Sequence, residues 1–299
     1  MASHTAEGLE QTVQDVAAHL YAWALRDIPQ DLRDALRDAG ARETHAVGRR
    51  ILETITTNVA VADQRETLVC QDTGIAVFYV RLGEQFPLHP ARIEGALREG
   101  TRQATREHEL RSNTVHTLTR VPTGDNTGHR IPHVHWDFVP GWDGMDVKCV
   151  PKGSGSETMS FLGMLAPAEG VAGVKRFVLD SIVDAGGKPC PPGIVGVGIG
   201  GSADLAMELA KRAIARPVGT HNPDPDVAQL EHDLCMLLNE TGVGPMGLGG
   251  DTTVLAVHAE QAHTHITLNP VAVNYQCWAA RRASAHVSAA GAVDYDRDA

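Results

Sequence analysis

Apolar residues recur at three- and four-residue spacings through the first sixty positions. Val13, Val16, Ala17, Leu20 and Ala24 mark one face, and Ile51, Leu52, Ile55 and Val59 repeat the arrangement. That period is helical, and Pro29 and Gly40 are expected to divide the stretch into several helices. Another helix is expected from Ala91 to about His108. The period then changes. IPHVHWDFVP (131–140) alternates in part and MDVKCV (145–150) follows across WDG, which predicts two strands joined by a turn. PKGSGSE (151–157) is too rich in glycine to predict regular structure, FLGMLAP and VKRFVLDSIVDAGG predict more helix, and IVGVGI predicts a buried strand. Helices are expected over 204–215 and 226–239, a loop over GVGPMGLGG (242–250), and strands at TTVLAVHAE and VAVNYQC. The expected fold class is α/β or α+β. A helical N-terminal part, with 1–60 mainly helical, leads into a mixed helix-and-strand body. No linker, repeat or separate tail interrupts the pattern, so 1–299 is expected to be a single domain.

The whole chain narrows the function classes. Its 299 residues, 42% of them hydrophobic, suffice for a substantial core or two smaller ones, and aromatic content of 4% leaves the packing to Ala, Val, Leu and Ile. The net charge of -11 argues against a broad nucleic-acid surface, which needs clustered Lys and Arg. The first residues, MASHTAEGLEQTVQD, lack the basic and apolar segments of a signal peptide, and no later run is apolar enough for a membrane span. Five widely spaced cysteines, Cys70, Cys149, Cys190, Cys235 and Cys277, disfavour a disulfide framework and suit a reducing, cytoplasmic compartment.

Three of these cysteines open interrupted segments: Cys70 opens CQDTG, Cys190 opens CPPG, and Cys277 opens CWAARR. Cys149, in an expected strand, and Cys235, on an expected helix, read as core residues. By spacing alone the three loop thiols are open to several readings: zinc ligands, ligands of three irons of a cluster, buried structural cysteines or redox thiols, the last disfavoured by the absence of CxxC. The GVGIGG run (196–201) has dinucleotide-loop spacing, but Pro191 and Pro192 shorten the strand before it and no strand-borne acid follows near residue 221. Its glycines are expected to permit close packing. GSGSE lacks the GK[ST] ending of a phosphate loop.

CQDTG (70–74), PKGSGSE (151–157), CPPGIVGVGIGGSAD (190–204) and VAVNYQCWAARR (271–282) occur in an order that resembles the class I fumarate hydratase and tartrate dehydratase family, specifically its alpha subunit. The NTG of TRVPTGDNTG and GPMGLGG (244–250) add to the resemblance, which covers about residues 12–285. It implies a hydro-lyase in which Cys70, Cys190 and Cys277 hold a 4Fe-4S cluster. It further implies a separate beta subunit, in an alpha2beta2 assembly, that shares the active site.

The resemblance also gives roles to residues that local sequence leaves as ordinary polar positions. Gln71, Arg111 and the main chain of Gly153 are implied to bind a small dicarboxylate, with Lys152 less closely matched. Asp72 and His265 are implied to handle protons, although His263 is chemically equivalent. For Arg281 and Arg282 two roles stay open, support of the cluster and the subunit contact. The main expectation is reversible hydration of fumarate to L-malate. Its alternatives are dehydration of tartrate to oxaloacetate and a non-catalytic iron–sulfur scaffold. PKGSGSE leans toward fumarate and malate, and the stretch from NTG to IPHVHWDFVPG toward tartrate.

Overall fold

A computed structural model describes residues 6–296, so the first five residues of the expected helical segment lie outside it. The described chain folds as two compact units, one formed by residues 6–29, 62–153 and 281–296, the other by 30–61 and 154–280. No change of composition marks the points where the chain passes between them.

The first unit holds α1 (Ala6–Arg26), β1 (Ile75–Gly83), α4 (Pro90–Glu107), β2 (His133–Val139), β3 (Met145–Lys152), β8 (Ala283–Val287) and β9 (Val293–Asp296). Its sheet runs β2-β1-β3-β8-β9. The two strands expected around WDG are present but are not neighbours. β1 lies between them, parallel to β2 and antiparallel to β3. The apolar face of α1, with Val13, Val16, Leu20 and Tyr21, packs with Ile93 and Leu97 of α4 against Phe78, Val80, Val147 and Cys149 of the sheet. Gly100 makes the α1–α4 approach possible, because a Cβ there would sit 2.3 Å from the Gln14 carbonyl oxygen.

The second unit contains α2 (Gln30–Arg42), the start of α3 (Ala46–Arg65), α5 (Ser154–Glu157), β4 (Phe161–Met164), α6 (Gly170–Ala185), β5 (Gly193–Gly200), α7 (Ala203–Ala213), α8 (Pro225–Asn239), β6 (Val254–Ala262) and β7 (Pro270–Gln276). Its sheet order is β4-β7-β5-β6. Val195 and Val197 of β5 face Val178 and Ile182 of α6 and Leu234 and Leu238 of α8. The alternate residues, Gly196 and Gly198, let α7 lie directly on the strand, since a Cβ at Gly198 would be 1.9 Å from the Ala206 carbonyl oxygen. Gly196 and Gly198 of GVGIGG therefore belong to the strand and its helix contact.

Three expectations at the level of elements are corrected. Gly40 lies inside α2, where its absent Cβ would meet little, and the helix break comes at 43–45. FLGM is a strand, paired with β7, because an edge position tolerates so short a run. PKGSGSE is regular almost throughout, its start completing β3 and its end forming the single turn of α5. No helix among the described residues is long and apolar enough to cross a membrane.

Candidate functional site

In the first unit the CQDTG segment leads into β1, whose first residue, Ile75, is paired with Lys152. Gly74 must be glycine: its φ is +66°, and a Cβ would lie 2.8 Å from the Lys152 main chain. This register sets Gly153, just after β3, beside the Cys70 turn, and Lys152 is buried there. The turn is braced by side chains. Asp72 Oδ1 accepts from the Gly74 N–H at 2.9 Å and from Asn113 Nδ2 at 3.1 Å. Asn113 Nδ2 also reaches Thr73 Oγ1 at 2.6 Å, and the Thr73 hydroxyl donates to the Arg111 carbonyl at 2.7 Å. Asn126, buried with φ +58°, donates to that same carbonyl at 3.0 Å and accepts the Asn113 N–H at 2.7 Å. Tyr21 donates its hydroxyl to the Thr73 carbonyl at 3.1 Å, and the buried Arg281 guanidinium donates to the Asp72 carbonyl at 2.6 Å. Cys70 is half-buried, and its sulfur accepts the Asp72 N–H at 3.5 Å. Gln71 and Arg111 are exposed.

The first unit thus gathers Cys70, Gln71, Asp72, Arg111 and Gly153 around one turn. Asn113, Thr73 and Asn126 brace this turn, and sequence reasoning gave none of them a role. The NTG motif was a usable signal for Asn126, but nothing in RSNTV signals the role of Asn113.

Cys190 and Cys277 belong to the second unit. Cys190 is exposed and stands at φ +57°, a conformation that a non-glycine residue keeps only when its surroundings impose it. Main-chain bonds impose it here. Its N–H donates to the Gly187 carbonyl at 3.2 Å, its carbonyl accepts the Trp278 N–H at 3.2 Å, and the Pro191 carbonyl accepts the Met246 N–H at 2.8 Å. The Trp278 bond ties the Cys190 turn to the half-buried Cys277. Burial pushes the Tyr275 phenol up, and the neighbouring Cys277 and Cys190 push it in the same direction. Cys149 is fully buried on β3, where burial pushes its thiol up, and Cys235 is half-buried on α8.

His265 lies in the exposed loop after β6, as does His263. Its Nδ1 accepts the Thr267 N–H at 3.2 Å and lies 2.9 Å from the Thr267 hydroxyl. A backbone N–H can only donate, so the neutral ring carries its proton on Nε2.

None of the five cysteines is joined in a disulfide. Two of the three implied cluster ligands are brought together within the second unit, and the third stands on the first. Among the described residues no group of three or more His, Cys, Asp and Glu side chains is assembled to hold a metal ion. The donor chemistry nevertheless fits an iron–sulfur cluster, for which thiolates are the usual ligands.

The family model described as "Fumarate hydratase (Fumerase)" matches residues 14–286. A protein of Methanocaldococcus jannaschii, provisionally named L(+)-tartrate dehydratase subunit alpha, is 40% identical over 273 residues, covering 91% of this chain and 96% of its own length. The L(+)-tartrate dehydratase subunit alpha of Escherichia coli strain UTI89 is 37% identical over 275 residues, covering 92% of this chain and 90% of the relative. That of strain K12 is 36% identical over the same length.

Proposed function

The chain belongs to the fumarate hydratase family, and on that premise we propose that it is the alpha subunit of a 4Fe-4S-dependent hydro-lyase that dehydrates tartrate to oxaloacetate. The observation that carries the choice of tartrate is the naming of relatives, matched over more than nine-tenths of this chain, as L(+)-tartrate dehydratase alpha subunits. It moves the reading from the fumarate hydration expected first to the alternative. The description of the family model keeps fumarate as the second reading.

Cys70, Cys190 and Cys277 are the proposed cluster ligands, and the cluster would supply a Lewis-acidic iron toward the substrate hydroxyl. The remaining work falls to the side chains of this chain and its partner. Arg111 presents an exposed guanidinium suited to clamp one substrate carboxylate in two-point contact. Gln71 offers an amide beside it, and Gly153 brings main chain close without a side chain in the way. Asp72, with Oδ1 fixed by Gly74 and Asn113, is held in one orientation and is the proposed proton acceptor at carbon. His265, whose Nδ1 is engaged by Thr267, presents Nε2 and is the proposed proton donor to the departing hydroxyl. Loss of water from a two-hydroxyl acid leaves an enol, which tautomerises to the keto acid. Tartrate differs from malate by one hydroxyl, a group that a site built to hydrogen-bond it can discriminate strongly.

The naming of the relatives as alpha subunits supports a beta partner, and we propose an alpha2beta2 assembly. Five cysteines, odd in number and widely spaced, favour a reducing compartment, the cytoplasm. The test is anaerobic co-expression with the beta chain, cluster reconstitution, and initial rates on L(+)-tartrate and L-malate in one assay. Faster dehydration of L(+)-tartrate is expected. Faster turnover of malate would replace the substrate reading with a fumarase, and no turnover of either by an intact complex would defeat the proposal.

A further inference from the structure

A buried carboxylate in the second unit has no part in the chemistry above. Glu43 is 1% exposed and stands at the corner between α2 and α3. Its Oε1 accepts the His45 N–H at 3.1 Å and the Asp251 N–H at 2.9 Å, and its Oε2 accepts the Thr252 N–H at 3.1 Å. The clasp is reciprocal, because the Asp251 carboxylate accepts the Thr44 N–H at 2.8 Å and the Thr44 hydroxyl at 2.6 Å. Two glycines make room for it. A Cβ at Gly48 would lie 2.8 Å from Glu43 Cδ, and one at Gly250, where φ is +146°, would lie 3.0 Å from both carboxylate oxygens. A buried carboxylate that accepts from several N–H donors is among the stronger hydrogen-bonded arrangements available, and it is costly to break.

The clasp holds the end of the GPMGLGG loop. Gly249 donates to the Val243 carbonyl at 3.0 Å, and Gly244 donates to Thr253 Oγ1 at 3.1 Å, so the loop is closed on itself. Its other contact is with the Cys190 turn, where Met246 donates to the Pro191 carbonyl at 2.8 Å and a Cβ at Gly187 would meet the Met246 carbonyl oxygen at 2.8 Å. Cys190 is held at positive φ by its surroundings, and this loop is one of them.

We propose that Glu43 is a positioning residue for the Cys190 thiol, acting through the clasped glycine loop and the Met246–Pro191 bond. The proposal deepens the cluster reading of Cys190 and rests on it for its functional meaning, but the mechanical link can be measured without a cluster.

The experiment is hydrogen exchange at single amides in the full chain, for wild type, Glu43→Gln and Gly48→Ala. Glu43→Gln replaces an acceptor with a donor facing N–H groups. Gly48→Ala displaces the same carboxylate without changing any residue of the loop. Both variants are expected to exchange about 10- to 100-fold faster at Asp251 and Thr252 and, beyond them, at Met246 and Trp278, with residues 72–74 of the first unit unchanged. Iodoacetamide labelling is expected to change in rate at Cys190 and not at Cys70. Acceleration confined to 251–252, with Met246, Trp278 and Cys190 as in wild type, would overturn the proposal. So would uniform acceleration reaching 72–74 in both variants, which would make Glu43 a general stabiliser. Failure of the cluster reading is separate, since it would appear as wild-type complex that binds no iron while the coupling from Glu43 to Cys190 persists.

Discussion

The Cys70 turn and the Cys190 turn present thiols of the same kind, yet they are built by opposite means. Around Cys70 the braces are side chains: Asn113, Thr73, Asn126, Tyr21 and Arg281 all spend hydrogen bonds on residues 72–73 or on the Arg111 carbonyl. Around Cys190 the braces are main-chain bonds made possible by missing side chains, at Gly187, Gly193 and Gly244. The first turn is therefore vulnerable to deletion of polar groups, and the second to addition of a methyl group. The first also places its polar side chains next to the thiol. The second offers a rigid frame with little chemistry of its own.

The largest effect expected from this difference is on turnover at the first turn. Asp72→Asn keeps the shape of the side chain and removes its basicity, and is expected to lower kcat by about 100- to 10,000-fold in the reconstituted complex, measured by steady-state assay. A wild-type kcat would move proton transfer off this turn. Next is a methyl group at the second turn. A Cβ at Gly193 would fall 2.0 Å from the Gln276 carbonyl oxygen and 2.5 Å from the Tyr275 ring, so Gly193→Ala is expected to cost about 3 kcal/mol in urea unfolding. Gly95→Ala, on α4 with nothing within 4 Å, is the control and is expected not to destabilise. Equal stability of the two variants would remove close packing from the account of the second turn.

Asn126→Ala is a milder break in the first turn. It leaves the Asn113 N–H without its acceptor and the Arg111 carbonyl with one donor fewer, at an expected cost of about 1–3 kcal/mol. The smallest effect depends on pH. Burial opposes ionisation of Asp125, but the Arg102 guanidinium and the Thr127 N–H and hydroxyl outweigh it and hold the carboxyl below its ordinary value. A depressed folded-state pKa adds stability above the unfolded value, about 3.9, and that stability is lost as pH falls through the folded value. Asp125→Asn is thus expected to be less stable than wild type in urea at pH 7 and to approach it at pH 3. A constant difference between the two pH values would assign the effect to shape rather than charge.

How far these regions were legible in sequence follows from the same contrast. The faces of α1, α4, α7 and α8 could be read because their apolar periods are undisturbed. The strand IAVFYVRLG could not be read by alternation, since the sheet buries residues on both of its faces. FLGM looked like helix because four residues carry no period of their own. Gly40 looked like a break, yet a helix accepts an interior glycine for roughly 1 kcal/mol when its neighbours pack. The thiols themselves were visible through the motifs they open. Their supports were visible only where a motif contained them, as with Asn126 and the GPMGLGG loop. Asn113 and Glu43 act across long separations, and RSNTV and RETHA look like ordinary polar turns. The separation into two compact units was not legible either, because the chain crosses once between α1 and α2, once within α3 and twice beside motifs, without any change in composition.

The most direct measurement of the central claim is the iron and acid-labile sulfide content of anaerobically reconstituted complexes carrying Cys70→Ser, Cys190→Ser, Cys277→Ser or Cys235→Ser, with L(+)-tartrate turnover followed in the same preparations. The account predicts that each of the first three loses cluster and turnover, while Cys235→Ser, altered only in the packing of α8, keeps both. Wild-type iron, sulfide and turnover in any of the first three would contradict it.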